Sequence, residues 1–301
     1  MVGAKKRPAG EGTLFLVGTP IGNLEDMTLR GLRILEEADL IACEDTRRTK
    51  KLLSHFNIHT PVTSYHEHSG QGKLKELLLR VRSGQKVAVV SDAGMPAISD
   101  PGRELVAQAV AEGLHLAVIP GPSALTSALV VSGLPPQPFT FFGFWPRTNK
   151  ERRKLLQELA SIQWTAVFYE APHRLVETLK DLSQCWPSRP VAVAREITKA
   201  FEEVVRGSAE EVYRHFLEHE PRGEITVIVG RADPAEAEKD RSKESPSVLA
   251  QALREAQAMA EEGYSLAQAA KASAQKYRLS RRTIYRGLIE KTPLQGGSEE
   301  G

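Results

Sequence analysis

Cysteine is scarce in this 301-residue chain, and long apolar runs are missing. The two cysteines, Cys43 and Cys185, lie far apart and in no metal-like spacing, which argues against a disulfide scaffold and favours a reducing compartment. No segment approaches the ~20 apolar residues of a transmembrane helix. The apolar run "LFLV" after the basic N-terminus is too short for a signal peptide. We therefore expect a soluble cytoplasmic protein.

A strong excess of one charge is also missing, because 40 basic residues balance 38 acidic ones and leave a formal net charge of +2. This excludes a uniformly basic surface for a polyanion, so any basic patch must be local. The content of 41% apolar and 26% charged residues is that of a globular protein. A chain of this length usually folds as about two or three domains.

Short apolar segments alternate with segments of helical periodicity between residues 13 and 121. The segments "TLFLV", "LIACEDT", "KVAVVSD" and "HLAVIPG" predict strands, and their alternation with helices indicates a parallel α/β sheet. Ligands of such sheets bind outside the carboxyl ends of the strands. The most informative loops follow Val17, Cys43, Val90 and Ile119, so we expect them at one edge of the sheet.

Three of these loops are rich in glycine and proline: residues 18–23 "GTPIGN", 91–102 "SDAGMPAISDPG" and 120–128 "PGPSALTSA". Glycine lets the backbone approach a ligand closely. The first loop has neither the dinucleotide-binding GxGxxG pattern nor the phosphate-binding GxxxxGK[ST] pattern. Because three such loops are expected at the same edge, they predict a pocket for a nucleoside-bearing cofactor.

The second half of the chain has a different pattern. Segment 131–138 is rich in proline and predicts a domain boundary. Fewer helices separate the later strands, which indicates a mixed sheet, and Asn149 is expected to cap a helix. A polar stretch without apolar period predicts a linker. The predicted division is an α/β domain at 12–133, a second α/β domain at 137–231, a linker at 232–246, a helical segment at 247–292, and flexible termini at 1–11 and 293–301.

The last helical segment is locally basic. From Lys271 to Lys291 it has seven Lys or Arg residues and one acidic residue. We predict a helix, a turn capped by Ser280, and a second helix, an arrangement similar to the helix-turn-helix of nucleic-acid readers. The alternative is a helix pair that serves dimerisation or packing.

Several motifs resemble those of the tetrapyrrole methylase superfamily. In chain order they are "TPIGNLEDMT", "CEDTRRT", "SYHEH", "SDAGMPAISDPG", "IPGPSAL", "FYEAPHR" and "GEITVIVG". They cover roughly residues 12–230 and are most similar to the RNA-modifying branch, the 16S ribosomal RNA cytidine 2′-O-methyltransferases. The resemblance implies two α/β domains, the first with a parallel and the second with a mixed sheet, and a helix-turn-helix-like appendage. It also implies a homodimer that methylates a decoding-centre cytidine on the small ribosomal subunit.

The resemblance further implies S-adenosylmethionine in the cleft between the two α/β domains. Its contacts would come from Pro20, Ser91, Asp92, Ala93, Gly94, Ser123, Ala124, Tyr169, Glu170, Ala171, Glu224, Ile225 and Thr226. For Asp92, the alternative is a helix cap or an Asx turn. The expected RNA contacts are the basic residues Arg47, Arg48, Arg152, Arg153, Lys276, Arg281, Arg282 and Arg286.

Methyl transfer to a ribose hydroxyl requires positioning and a base that accepts the proton. The candidate bases are Glu44, Asp45, His66, His68 and Asp100, with Glu67, Glu196 and Lys199 also possible, and the sequence does not choose among them. For Glu44 and Asp45, the alternative is a loop carboxylate paired with Arg47 or Arg48. We expect no metal, because no third ligand joins His66 and His68 in a clear pattern.

Two other functions remain open at this point. The first is a small-molecule methylase of tetrapyrrole type, against which stand the basic helical segment and "TPIGNLED" in place of the GxGPGD form of those enzymes. The second is an RNA-binding ribosome assembly factor without catalytic activity.

Overall fold

The computed structural model describes residues 12–66, 69–231, 246–277, 279 and 281–291. Residues up to 231 form one compact unit, and the later residues belong to a second. The candidate bases Glu67 and His68, the expected cap Ser280 and the predicted flexible termini lie outside the described residues, as does the predicted linker apart from residue 246.

A parallel sheet of five strands forms the N-terminal half of the first unit. Its strands are β1 (Thr13–Val17), β2 (Leu40–Cys43), β3 (Val62–Ser64), β4 (Lys86–Val90) and β5 (Leu116–Ile119). Their order is β3-β2-β4-β1-β5, and all pairs are parallel. Since β1 lies between β4 and β5, the loops that follow these three strands are neighbours at the carboxyl edge.

Helices cover both faces of this sheet. They are α1 (Leu29–Glu37), α2 (Thr46–His55), α3 (Gln71–Arg82) and α4 (Arg103–Ala111), preceded by a 3₁₀ turn at Leu24–Asp26. Along β1, Phe15 and Val17 pack into one apolar core and Leu14 into the other, as the two-residue period of a strand requires. Sequence patterns did not predict α2. Its first turn is stabilised by Asp45, whose carboxylate accepts the N–H of Arg47.

A mixed sheet forms the second half of the unit, as predicted. Its strands are β6 (Phe139–Phe144), β7 (Thr165–Glu170), β8 (Pro190–Arg195), β9 (Glu203–Ser208) and β10 (Ile225–Val229). The order is β6-β7-β10-β8-β9, in which only β6 and β7 are parallel. The two sheets confirm the predicted α/β class.

The helices of the second sheet lie on opposite faces. On one face are α6 (Asn149–Ser161), α7 (Pro172–Cys185) and α8 (Ala209–Glu218), which share an apolar core with the strands. The N-cap of α6 is Thr148, whose hydroxyl accepts the N–H of Glu151, so the prediction that Asn149 caps this helix was wrong by one residue.

The other face of the second sheet is covered by a helix that follows β5, α5 (Ala124–Ser132). Ala128 and Leu129 of α5 are buried against Val167, Ala192 and Ile228. The helix is therefore connected directly to the first sheet but packs on the second. This packing places the loop after β5 between the two sheets.

The C-terminal unit contains three helices in its described part: α9 (Pro246–Glu261), α10 (Leu266–Tyr277) and α11 (Arg281–Lys291). Ala270, Ala274, Ile284 and Leu288 are buried in its core. The helices α10 and α11 correspond to the predicted pair, and α9 adds Ala252 and Ala256 to the same core. None of the helices in the described ranges is both long and apolar enough to span a bilayer.

Candidate active site

The three glycine- and proline-rich loops meet at the carboxyl edge of the first sheet, as predicted. Thr19 and Gly94 exchange two backbone hydrogen bonds of 2.9 and 3.0 Å, which join the loops after β1 and β4. The loops after β1 and β5 are in backbone contact, because a Cβ atom added to Gly18 would lie 2.7 Å from the Cα of Gly121. Only glycine allows so close an approach at these two positions.

A cavity of about 300 Å³ lies between these loops and the second sheet; we call it the interdomain cavity. Most of the predicted cofactor-binding residues line it, namely Ala93, Gly94, Ser123, Ala124, Tyr169, Glu170, Ala171, Glu224, Ile225 and Thr226. Its lining also includes residues that sequence reasoning did not find: Ile21, Met95, Ile98, Ser99, Phe144, Pro172, Ile197 and Gly223. Met95, Ile98 and Ser99 belong to the segment 91–102, whose turn-rich pattern could have indicated them.

The charges of the interdomain cavity have one sign. Asp100 and Glu224 contribute carboxylates, the Glu170 side chain is fully buried behind the wall, and among the described residues of the lining none is Lys, Arg or His. Apolar side chains such as Ile21 and Phe144 form much of the remaining wall. The cavity therefore suits a ligand that combines an apolar, flat portion with a positive charge.

Asp100 has the most perturbed carboxylate of this cavity. Burial raises its pKa from 3.8 to about 6, and repulsion from Glu44 and then from Asp92 adds to the effect. A carboxylate with this pKa is mostly ionised at pH 7 but is a much stronger base than an exposed aspartate. Burial also raises the pKa of Tyr169, which lines the same cavity.

Glu170 is held by its own chain. One of its carboxylate oxygens accepts the N–H of Ala171 at 2.8 Å, and the other accepts the hydroxyl of Thr178 at 2.5 Å. Arg174 lies 3.6 Å from the same carboxylate and donates to the carbonyl oxygen of Trp145 at 2.8 Å. These bonds fix the turn between β7 and α7 and leave the backbone of this segment at the cavity wall.

The other candidate bases lie outside this cavity. The Asp45 carboxylate caps α2, and its hydrogen bonds with the Arg47 side chain and backbone lower its pKa to about 2. This is the pairing with Arg47 that the sequence left open, and it makes Asp45 a weak base. Glu44 and His66 line neither this cavity nor a second one that lies beside α2. Among the described candidates from the first sheet and its loops, Asp100 alone lines the interdomain cavity.

Asp92 connects the loop after β4 to α2. One carboxylate oxygen accepts the N–H of Asp45 at 3.1 Å, and the other lies 3.3 Å from the guanidinium of Arg48. The side chain is therefore neither a helix cap nor a local turn residue, and its contact reaches across the sheet edge. This connection positions α2 beside the converging loops.

A second cavity, of about 360 Å³, lies beside α2; we call it the α2 cavity. Three predicted cofactor-binding residues, Pro20, Ser91 and Asp92, line this cavity and not the interdomain one. The two cavities share the residues Ile21, Ala93 and Glu224. The basic residues of the α2 cavity are Arg48, Lys51 and Lys199. The site thus combines an acidic compartment with one in which three cations outnumber two carboxylates, Asp92 and Glu224, and the two compartments have a common wall.

Lys199 lies in a loop between strands of the second sheet and contacts the wall that the two cavities share. The ammonium group lies 2.8 Å from Glu196 and 3.2 Å from Glu224. Its aliphatic stem packs against Gly22, where an added Cβ atom would meet it at 2.3 Å. The pairing of Lys199 with two carboxylates makes it a structural cation rather than a free base.

The predicted RNA contacts have different environments. Arg152 is buried, 6% exposed, and its guanidinium forms 2.5 Å ion pairs with Glu177 and Asp181 of α7. The prediction that Arg152 contacts RNA was therefore wrong, because its side chain is buried and joins α6 to α7. The neighbouring Arg153 is exposed, as are Arg47 and Arg48, and in the C-terminal unit Arg281, Arg282 and Arg286. Lys276 forms an ion pair with Glu255 of α9.

Comparison with known proteins identifies this arrangement. Residues 13–213 match the sequence model of the family described as Tetrapyrrole (Corrin/Porphyrin) Methylases. The chain belongs to the tetrapyrrole methylase family. The resemblance that the motifs indicated is thus confirmed, and the chain is an S-adenosylmethionine-dependent methyltransferase.

Relatives within and around the family cover most of the chain. A "Ribosomal RNA small subunit methyltransferase I" of Halalkalibacterium halodurans is 50% identical over 230 residues, 76% of this chain and 80% of the relative. A protein of the same name from Synechocystis is 44% identical over 93% of this chain and 98% of the relative. Among solved structures, the cobalt precorrin-4 methyltransferase CbiF is similar in fold, with a TM-score of 0.56 at 20% identity over 75% of this chain and 98% of that one.

The residues of the interdomain cavity fit the methyl donor of this tetrapyrrole methylase. S-adenosylmethionine carries a cationic sulfonium, a flat adenine and a ribose. The carboxylates of Asp100 and Glu224 complement the positive charge, and the apolar side chains suit the adenine. The volume of about 300 Å³ is at the lower end of the range usual for small-molecule sites.

Proposed function

We propose that this chain transfers a methyl group from S-adenosylmethionine to the ribose 2′-hydroxyl of a decoding-centre cytidine in 16S ribosomal RNA. The observation that carries the proposal is the acidic interdomain cavity, which shares a wall with the basic α2 cavity. A cationic donor fits the first cavity, and a polyanionic acceptor fits the second. The relatives named ribosomal RNA small subunit methyltransferase I support RNA as that acceptor.

The donor would be held by residues of both halves of the interdomain cavity. From the first half these are Ala93, Gly94 and the start of α5 at Ser123–Ala124. From the second half they are the start of β10, Ile225 and Thr226. When bound, the donor would supply an electrophilic methyl carbon, and the residues of this lining would position it.

Asp100 is the base in this proposal. It accepts the proton of the ribose hydroxyl as the hydroxyl oxygen forms its bond to the methyl carbon and the carbon–sulfur bond breaks. The products are the 2′-O-methyl ribose, S-adenosylhomocysteine and protonated Asp100, which releases its proton to solvent. Its raised pKa supports this role, because an acceptor with a pKa near 6 is ionised and still basic at neutral pH.

The decisive assay is methyl transfer with three acceptors. The full-length chain and labelled S-adenosylmethionine are incubated with small ribosomal subunits, with free 16S RNA and with uroporphyrinogen. We expect label in RNA, and mass spectrometry of nuclease digests should identify one 2′-O-methylated cytidine. Label in the tetrapyrrole would establish the small-molecule alternative, and RNA binding without any transfer would establish the assembly-factor alternative.

The C-terminal unit is proposed to bind RNA through the exposed arginines of α11. Deleting residues 232–301 should lower kcat/KM on small subunits by roughly 10-fold or more, because several phosphate contacts are lost. Affinity for S-adenosylmethionine, measured by calorimetry, should change less than about twofold, since the first unit has its own cores. Wild-type turnover of the truncated enzyme would contradict the RNA-binding role.

A homodimer in the cytoplasm is the proposed form of the enzyme. Supporting the dimer, β5 is an edge strand, and large apolar side chains at Leu29, Val118 and Val130 are exposed in the single chain. Light scattering should give twice the chain mass of 33.1 kDa. A particle of single-chain mass at micromolar concentration would contradict it. The cytoplasmic location follows from the proposed ribosomal substrate.

A further inference from the structure

The α2 cavity has walls of two chemical kinds. The large apolar side chains of the lining are Ile21, Leu24 and Leu52, beside Pro20 and Ala93. Its charged residues are three cations, Arg48, Lys51 and Lys199, and two carboxylates, Asp92 and Glu224. A nucleotide has the same two parts, since its base is flat and largely apolar on its faces and its phosphate is anionic. The volume of about 360 Å³ is in the range of sites for small ligands.

The three cations differ in what they already bind. Arg48 lies 3.3 Å from Asp92, and Lys199 lies 3.2 Å from Glu224, so carboxylates of the same cavity partly neutralise both. Lys51 is exposed, and in the part of the chain that the structure describes its ammonium has no ion-pair or hydrogen-bond partner. Lys51 is therefore the cation of this cavity that is available for an incoming anion.

The position of Lys51 relative to the donor is fixed by α2. This helix is connected to the loop after β4 by the 3.1 Å hydrogen bond from Asp45 to Asp92 and by the Arg48–Asp92 ion pair. Ala93, the next residue of that loop, belongs to the wall that both cavities share. An anion bound to Lys51 would therefore lie close to the donor, because α2 is bonded to the loop that lines both cavities.

RNA chemistry indicates which anion this is. The 2′-hydroxyl of a ribose is the immediate neighbour of the 3′-phosphate on the same sugar. A cation that holds this phosphate consequently places the hydroxyl. A nucleotide in the α2 cavity approaches the donor along the side where both cavities share Ile21, Ala93 and Glu224.

We propose that the α2 cavity binds the target nucleotide of the RNA strand, with Lys51, assisted by Arg48, on the phosphodiester next to the methylated ribose. This inference rests on the proposed function and names the acceptor half of the same site. Lys51 contacts substrate but does not take part in proton transfer. Its loss should therefore act on acceptor binding and leave donor binding unchanged.

The test compares Lys51→Ala with Lys50→Ala in the full-length enzyme. Both lysines are exposed on α2, and Lys50 lines neither cavity, so the two variants lose the same charge at adjacent positions. We expect kcat/KM on small subunits to fall roughly 10-fold for Lys51→Ala and less than about twofold for Lys50→Ala. The slope of log kcat/KM against log salt should decrease by about 0.7–0.9 for Lys51→Ala only, as expected for one lost phosphate contact. Lys51→Arg should retain most of the activity.

A binding arm separates failure of this inference from failure of the proposed function. Anisotropy of a labelled single-stranded RNA that contains cytidine, with S-adenosylhomocysteine present, measures acceptor binding without turnover. If the wild type methylates no RNA, the proposed function fails, and the anisotropy measurement then tests the cavity alone. A loss of RNA affinity in Lys51→Ala but not in Lys50→Ala supports a phosphate site. Equal effects of the two alanine variants, in either arm, overturn the inference while leaving a methylating wild type in place. Weakened S-adenosylhomocysteine binding in Lys51→Ala would also overturn it.

Discussion

Asp100→Asn should lower kcat by roughly 10²–10⁴, the usual contribution of a general base. The asparagine keeps the size of the side chain but cannot accept the hydroxyl proton. Asp45→Asn is the matched control, because asparagine also caps a helix well and Asp45 lines neither cavity. Single-turnover kinetics on small subunits measure both variants, and we expect the control to stay within about threefold of wild type. An Asp100→Asn enzyme with wild-type kcat would exclude Asp100 as the base.

The pH dependence gives a second measure of the same role. Protonated Asp100 cannot act as a base, so wild-type kcat should rise through about pH 6 and level off above it. That limb should be missing from the residual activity of Asp100→Asn. Because burial raises the folded-state pKa above 3.8, the folded state binds this proton more tightly than the unfolded state. Protonation of Asp100 stabilises the folded wild type fully below pH 4, and this stabilisation is lost as the pH rises through 6. The free energy of unfolding of Asp100→Asn, compared with that of wild type, should therefore increase between pH 4 and 6.

Gly121→Ala should weaken binding of S-adenosylmethionine by roughly 10- to 100-fold. The added Cβ atom would lie 2.8–2.9 Å from the backbone of Gly18, so the loops after β1 and β5 must separate at the edge of the interdomain cavity. Overpacking of this kind costs about 1–3 kcal/mol, and the loops that hold the donor absorb the displacement.

Gly72→Ala is the control for this experiment, because a Cβ atom there meets nothing within 4 Å. Calorimetric titration should give wild-type affinity for Gly72→Ala and a reduced affinity for Gly121→Ala. Far-ultraviolet circular dichroism and cooperative unfolding of both variants check that the fold is kept. Equal affinities would show that contact between the two loops is not needed for donor binding.

The meeting of the three loops could be predicted because the carboxyl ends of parallel strands share one edge of a sheet. What the sequence does not contain is the order of the strands. The position of β1 between β4 and β5 brings Gly18 against Gly121 and Thr19 against Gly94, and it results from pairing between segments far apart in the chain. Local patterns therefore indicated which loops matter but not which of them touch.

Arg152 and α2 show why other predictions failed. The first turns of α6 hold an unbroken run of charged residues at 150–154, which is typical of a solvated helix face. The two carboxylates that pair with the buried Arg152 come from α7, more than two dozen positions away in the chain. The helix α2 is mostly polar, with only Thr49 and Leu53 buried, so apolar periodicity gave little signal. Asp45, the N-cap of α2, was interpreted only as a candidate base or a paired loop carboxylate, so the start of the helix was not recognised. Because α2 was not predicted, the cavity that its residues line was not predicted either.

The packing of α5 has a consequence for how the two halves of this enzyme behave. The helix is attached to the first sheet at Ser123 but buries Ala128 and Leu129 in the second. A cut at the proline-rich segment 131–138 would thus not yield two autonomous fragments, because the second sheet would lose the helix that shields one of its faces from water. Since the loop with Gly121 leads directly into α5, a rotation of one sheet relative to the other is expected to displace this loop and so to change the affinity for the donor.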